Sequence, residues 1–303
     1  MKIVIIGAGA LGSYYGGRLQ QAEQHVQFLV RKKRAQQMRD QGLSITSPHG
    51  NYDFKDLHFT EDVNEIQQVD LVLLTVKGFH LQGTLPDLKN LVDKGAKILP
   101  LLNGLEHISI LQKELGEENV IGGSAFIIAT LDEKGHVIHS NRNHDLVYGP
   151  LHPSQQEICD EFEKAVSSAI MGTSRTENIL IRLWFKYMFI TAFSGVTTAS
   201  DLPIGTIRKY PATHGLLEKA LVEMQRLANA HGIGLTEKNI AKALEDIAAL
   251  PDEATSSMHQ DRRKNHPLEV EHIQGGALRL AKKANIQLPV IETLYALIKP
   301  FEH

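Results

Sequence analysis

The sequence predicts an α/β domain followed by an all-helical domain. Three observations carry that expectation. Short apolar runs alternate with helical stretches over roughly the first half of the chain. A glycine-rich step follows directly on the first of those runs. From Asn178 onward the periodicity is helical and strand signals vanish. Strands alternating with helices make βαβ units and a parallel sheet covered on both faces. The texture changes after Gly172, which divides the chain into an expected 1–174 and 175–303.

Lys2–Ile6 is almost wholly apolar and stops at Gly7, as a strand buried on both faces does. His25–Val30, Asp70–Val76 and Ala96–Leu102 repeat the pattern, and Ile121–Thr130, Gly135–Ser140 and Asp145–Tyr148 read as later strands. The helix candidates are Asn178–Ala199, Ala212–His231, Glu237–Ala249, Asp252–Asn265, Leu268–Ala284 and Val290–Ile298. Gly232, Gly234, Pro251, Pro267 and Pro289 punctuate them where helix ends prefer such residues.

Composition excludes several classes. Of 303 residues, 42% are hydrophobic and 22% charged, which is globular usage rather than disorder or coiled coil. With 32 basic and 35 acidic residues the net charge is −3, so no nucleic-acid partner is expected. No apolar run approaches the roughly 18–20 residues of a membrane span, and the start lacks a signal-peptide pattern. The single cysteine, Cys159, forms no internal disulfide, and a cytoplasmic setting is expected. The 15 histidines show no metal-ligand spacing, and no metal site is expected.

Gly7-Ala8-Gly9-Ala10-Leu11-Gly12 matches the GxGxxG pattern, placed after a buried strand and opening a helix. The first glycine makes the tight turn, the second lets backbone approach a pyrophosphate, and the third lets helix and strand pack closely. The helix N-terminus then offers unpaired N–H groups to phosphate. A Rossmann-like dinucleotide-binding domain follows as the expectation. The second strand runs into Arg31-Lys32-Lys33-Arg34 with no carboxylate before Asp40. A basic cluster there suits the 2′-phosphate of NADP(H) and mismatches the anion preference of a helix start.

Leu183–Phe193 is apolar nearly all round a helix, which reads as buried. A polar stripe survives at Arg182, Lys186, Ser194 and Thr197, interrupted by Ile190. A lysine on such a helix reaches either a cavity or, by snorkelling, the surface. The stripe leaves both open.

Together with the glycine loop, Thr75-Val76-Lys77, Leu102-Asn103-Gly104, Leu183-Trp184-Phe185-Lys186, Ser256–Asp261 and Glu269 with Ile273-Gln274-Gly275 fall in the order seen in ketopantoate reductases. The chain resembles that family along essentially its whole length. The resemblance implies NADPH-dependent reduction of a 2-oxo acid, most simply 2-dehydropantoate to pantoate in pantothenate synthesis. By the same resemblance Lys186 is the general acid and Glu269 its acidic partner. Asn103 reaches nicotinamide and substrate, Lys77 lies in the cofactor pocket, and Ser257 holds the substrate carboxylate. The plainer readings are a helix-start acid for Glu269, a turn for Asn103-Gly104, a loop lysine for Lys77 and a helix-start serine for Ser257.

The departures concentrate at substrate positions. Where the family usually carries asparagines, this sequence has Ile190, Ser194, Ile204 and Ala254, and Leu268 replaces the usual threonine before the acid. Losing hydroxyl-binding amides points to a substrate without ketopantoate's terminal hydroxyl, or to a bulkier, more apolar 2-oxo acid. Ile190 and Ser194 therefore stand as substrate-contacting candidates. A non-catalytic NADP(H)-binding regulator is the rival from another class, though keeping both Lys186 and Glu269 argues against it. An opine-type or 3-hydroxy acid dehydrogenase shares the layout and matches the motifs poorly. The amphipathic faces of the C-terminal helices are compatible with a homodimer.

Overall fold

The apolar runs become the sheet they predict. In the computed structural model, which describes residues 1–302, β1 (Lys2–Ile6) passes through the glycine step into α1 (Ala10–Gln21), and β2 (His25–Leu29) into α2 (Lys32–Gln41). Short strands β3 (Ser44–Thr46), β4 (Tyr52–Asp53) and β5 (His58–Thr60) follow, then β6 (Leu71–Leu74), α3 (Leu81–Asp93), β7 (Lys97–Pro100) and α4 (Glu106–Leu115). β8 (Gly122–Leu131), β9 (Val137–Gly149), α5 (Gln156–Val166) and β10 (Thr173–Arg175) complete this part.

One sheet runs β5-β2-β1-β6-β7, parallel throughout. Ile6 pairs with both Leu29 and Leu74, and Leu74 with Pro100, so the residues after these strands gather at one edge. β1 has β2 on one side and β6 on the other, the strand-order reversal beside which α/β sheets bind ligands.

A second sheet has β9 at its centre, antiparallel to β8 and parallel to β3 and β10. The sequence suggested two strands where β9 is one. Its polar middle stays in the strand because the side chains find partners. At the ladder irregularity between Ile127 and Ala129, Asn141 Oδ1 accepts from the Ile128 amide at 3.1 Å. His144 Nδ1 lies 2.7 Å from the Tyr14 hydroxyl, and His139 Nδ1 2.9 Å from that of Ser47. The His49 and His144 rings stack with centroids 3.7 Å apart, and His139 lies nearly parallel to both.

The remaining helices are α6 (Ile179–Ser200), α7 (Ile204–Lys209), α8 (Pro211–Ala230), α9 (Glu237–Ala248), α10 (Ser257–Arg263), α11 (Val270–Lys283) and α12 (Pro289–Ile298). Tertiary contacts divide the chain into two units, Met1–Leu102 with His107–Ile179, and Asn103–Glu106 with the residues from Leu180 onward. In the second unit Trp184, Tyr187, Met188, Phe193 and Val196 of α6 join the apolar faces of α8, α11 and α12. No segment of membrane length is expected from the sequence, yet the 22-residue α6 is long and apolar enough by composition. Most of it is buried by neighbouring helices, which marks it as a core helix.

The expected helix over Asp252–Asn265 begins only at Ser257. The Asp252 and Ala254 carbonyls accept from the Gly205 and Ile204 amides, so this stretch caps α7, a helix the sequence reading did not identify. In α11, Gly275 and Gly276 stand side by side. Each weakens a helix interior by about 1 kcal/mol relative to alanine, so both call for a packing reason.

Candidate active site

At the sheet edge, the three pattern glycines do different work. Gly7 sits at φ 102, open to glycine and strained for other residues. A Cβ on Gly12 would overlap the Gly7 carbonyl oxygen and Thr75 Oγ1. A Cβ on Gly9 would meet nothing within 4 Å. Gly9 is also the N-cap of α1 and supplies no side chain to its first amides. An open backbone surface below uncapped helix N–H groups fits a pyrophosphate. Ala8 is buried, while Ala10 and Leu11 are half-buried in the turn that starts α1.

Thr75, whose role the sequence left unassigned, holds the loop: its hydroxyl is shared between the Gly7 carbonyl at 2.7 Å and the Ile6 carbonyl at 3.1 Å. Two residues on, half-buried Lys77 caps a short 3-10 turn at the same edge. Arg31 is the exposed N-cap of α2, whose first turn contains no acid. Burial and then the charge of Arg31 lower the pKa of His80, the last residue of that 3-10 turn. The basic cluster divides here. Lys32 and Lys33 are exposed, but Arg34 turns inward and donates to Gln37 Oε1 at 2.6 Å and to the Gly135 carbonyl at 3.0 Å.

In the helical unit, Lys186 lies half-buried on α6 and Glu269, 3% exposed, is the N-cap of α11. Burial lowers the Lys186 pKa to about 8, partly offset by the Glu269 carboxylate. Desolvation disfavours the ammonium and the nearby anion restores part of it. Tyr187 registers the two helices by donating to the Ile273 carbonyl at 2.7 Å.

The polar stripe beyond Lys186 is turned on itself. Ser194 Oγ donates to the Ile190 carbonyl at 2.6 Å, and Thr197 Oγ1 to that of Phe193 at 2.7 Å. Gln274, buried on α11, donates its amide to the Thr191 carbonyl at 3.0 Å and lies 3.4 Å from Ser194 Oγ. The sequence named Gln274 only within a motif and gave it no role. Ile190 adds a half-buried apolar surface.

Ser257 is exposed at the first position of α10, and its neighbour Ser256 does the capping. Ser256 Oγ accepts from the His259 amide and lies 3.1 Å from Thr197 Oγ1, which joins α10 to α6. Asn103 follows β7 by three residues, packs with the helical unit and is half-buried. Ile204 is fully buried in the core of that unit, as is Leu268, whereas Ala254 is half-buried.

Residues 3–153 match the family pattern described as Ketopantoate reductase PanE/ApbA, and residues 178–302 match its C-terminal counterpart. The chain is 30% identical to the uncharacterized oxidoreductase YkpB of Bacillus subtilis (strain 168), over 100% of this chain and 99% of that one. It is 27% identical to the 2-dehydropantoate 2-reductase of Halobacterium salinarum, over 99% and 98% of the two chains. Among solved structures it is similar to 2-dehydropantoate 2-reductase from Geobacter metallireducens GS-15, with a TM-score of 0.92, 28% identity and 99% of each chain covered. A complex of D-mandelate dehydrogenase with NADH is similar at TM-score 0.87 and 25% identity, covering 99% of this chain and 98% of that one. A parallel dinucleotide-type sheet, a lysine–glutamate pair across two helices and matches along both parts of the chain lead to one conclusion: this chain belongs to the ketopantoate reductase family, oxidoreductases that act on a CH–OH group.

Proposed function

We propose that the protein reduces a 2-oxo acid to the 2-hydroxy acid with NADPH, in the cytoplasm. The observation that carries this reading is the Lys186–Glu269 pair, with the lysine brought to about 8. Such an ammonium is charged at neutral pH and a better proton donor than an ordinary lysine. Bound NADPH would supply the hydride. Lys186 Nζ donates its proton to the 2-oxo oxygen and stabilises the negative charge developing there. Glu269 keeps that lysine protonated. Gly7, Gly9, Gly12 and the α1 amides bind the pyrophosphate, Arg31 the 2′-phosphate, Lys77 the cofactor pocket, and Asn103 the nicotinamide and substrate. The similarity to a dehydrogenase complexed with NADH supports a nicotinamide dinucleotide, and the acid-free start of α2 supports the phosphorylated form.

Ketopantoate is the reference substrate. The polar stripe favours a second reading, a more apolar 2-oxo acid. Ser194 and Gln274 direct their donors to backbone carbonyls within the helical core, and the side chain of Ile190 has no group that could hydrogen-bond a substrate. The test is steady-state NADPH oxidation with ketopantoate and with trimethylpyruvate, which is ketopantoate without its hydroxyl. The expected result is turnover of both, with trimethylpyruvate at least equal, and loss of turnover in Lys186→Ala with NADPH still bound. Reduction surviving in Lys186→Ala overturns the chemistry. A strong preference for ketopantoate overturns the apolar reading alone.

A further inference from the structure

Segment Asn103–Glu106 leaves the end of β7 and packs with the helical unit, and α11 is shaped to receive it. Gly104 lies at φ 87, and a Cβ there would stand 2.6 Å from the His272 carbonyl oxygen. Only glycine combines that backbone with that approach. Two residues on, the Glu106 carboxylate lies over Gly276, where a Cβ would come within 3.1 Å of Glu106 Oε2 and 3.0 Å of the Tyr187 hydroxyl. The weak point in α11 is thus a seat. Arg279 closes it, donating from Nε and Nη2 to Glu106 Oε2 at 3.0 and 2.7 Å. Arg279 is itself fixed: Nη2 donates to the Glu271 carbonyl at 2.8 Å and Nη1 to the Glu271 carboxylate. The other Glu271 oxygen accepts from Tyr295 at 2.7 Å and Lys299 at 2.8 Å.

The residue this seat carries is Asn103. Its side chain makes no hydrogen bond among the described residues, unlike an asparagine that stabilises its own turn, so its neighbours set its pose. We propose that Glu106 and Arg279 are positioning residues that seat Asn103 against α11, one helical turn from Glu269, with its amide presented to cofactor and substrate. This rests on the reading of Asn103 given above. The planar fork of arginine is what the seat uses, and a lysine would hold Glu106 through a single point.

The test is a double-mutant cycle on Asn103→Ala and Arg279→Gln, read in NADPH affinity by fluorescence titration and in kcat/KM. Arg279→Gln is expected to lower kcat/KM by about ten- to a hundredfold, since a misplacement of about 1 Å costs up to about a hundredfold. In the Asn103→Ala background the same change should cost less than about twofold, because the residue it acts through is gone. Arg279→Lys should recover part of the loss, and thermal melting checks that each variant is folded. Full additivity, or an inert Arg279→Gln, overturns the proposal, as does an Asn103→Ala variant with unchanged affinity and turnover. Lys186→Ala is measured alongside. If reduction survives that change, the proton-donor reading has failed, and the NADPH-affinity cycle still decides the seating.

Discussion

The hydroxyl of Tyr187 donates to the carbonyl of Ile273 at 2.7 Å, joining α6 to α11. The preceding residue is Lys186, and Glu269 lies one turn before Ile273. This bond therefore sets the register between Lys186, the proposed proton donor, and the Glu269 carboxylate. Tyr187→Phe keeps the ring and removes the link. Expected are a loss of about 1 kcal/mol in stability and a fall in kcat at nearly constant NADPH affinity. Denaturant unfolding and steady-state kinetics check both.

Reduction should depend on pH through Lys186. With its pKa at about 8, kcat/KM falls as pH rises through that value, because the donor loses its proton. Glu269 raises that pKa, so Glu269→Gln should move the fall to lower pH. A pH–rate profile of both proteins measures the shift, and a profile unmoved by the substitution sinks the assignment.

Gly9 and Gly12 should separate binding from folding. A methyl at Gly9 meets nothing within 4 Å, so Gly9→Ala should melt like the parent and lose NADPH affinity. At Gly12 a methyl overlaps the loop and Thr75, and Gly12→Ala should cost about 1–3 kcal/mol of stability. Melting curves beside NADPH titrations distinguish the two.

The basic cluster splits in the same way. Arg31→Ala should weaken NADPH binding about tenfold and leave NADH binding unchanged, since the role proposed for Arg31 is a charge-assisted partner of the 2′-phosphate. Arg34→Ala should leave that preference intact and lower stability, because Arg34 is bonded to Gln37 and Gly135. Competition between the two dinucleotides reads out the difference.

The stacked histidines predict acid lability. Burial, then the charges of His49 and His139, lower His144 from 6.5 to about 4, and burial also lowers His139. Tyr14 and Arg18 of α1 and Asp145 of β9 face the same cluster, Asp145 opposing the shift and Arg18 adding to it. The folded state holds His139 and His144 neutral while the unfolded chain protonates them. Their contribution is therefore full above the ordinary histidine pKa and is lost as pH falls from about 6.5 toward 4. His144→Phe should flatten the dependence of melting temperature on pH across that window.

Much of the fold was legible because buried parallel strands and core helices are contiguous apolar runs, as β1, β6 and α6 show. What escaped was decided by distant partners. β9 continues through polar residues because Tyr14, Ser47 and the Ile128 amide meet them. The segment before Ser257 looks helical and instead lends its carbonyls to α7. In the site, the glycine loop was readable from local pattern, whereas Lys186 and Glu269 were singled out only by the family resemblance, because a lysine on an apolar helix and an acid at a helix start each have an ordinary structural reading. The seat made by Glu106, Gly276 and Arg279 was not readable, since Glu106 and Arg279 lie 173 residues apart.

The apolar completeness of α6 has a consequence for synthesis. Its covering helices α8, α11 and α12 all follow it in the chain, and about 100 residues separate Ser200 from the end of α12. At about 5–20 residues per second, the nascent protein carries a segment of membrane-like hydropathy without its native cover for roughly 5–20 seconds. That interval is when the chain is most exposed to aggregation and most in need of chaperones.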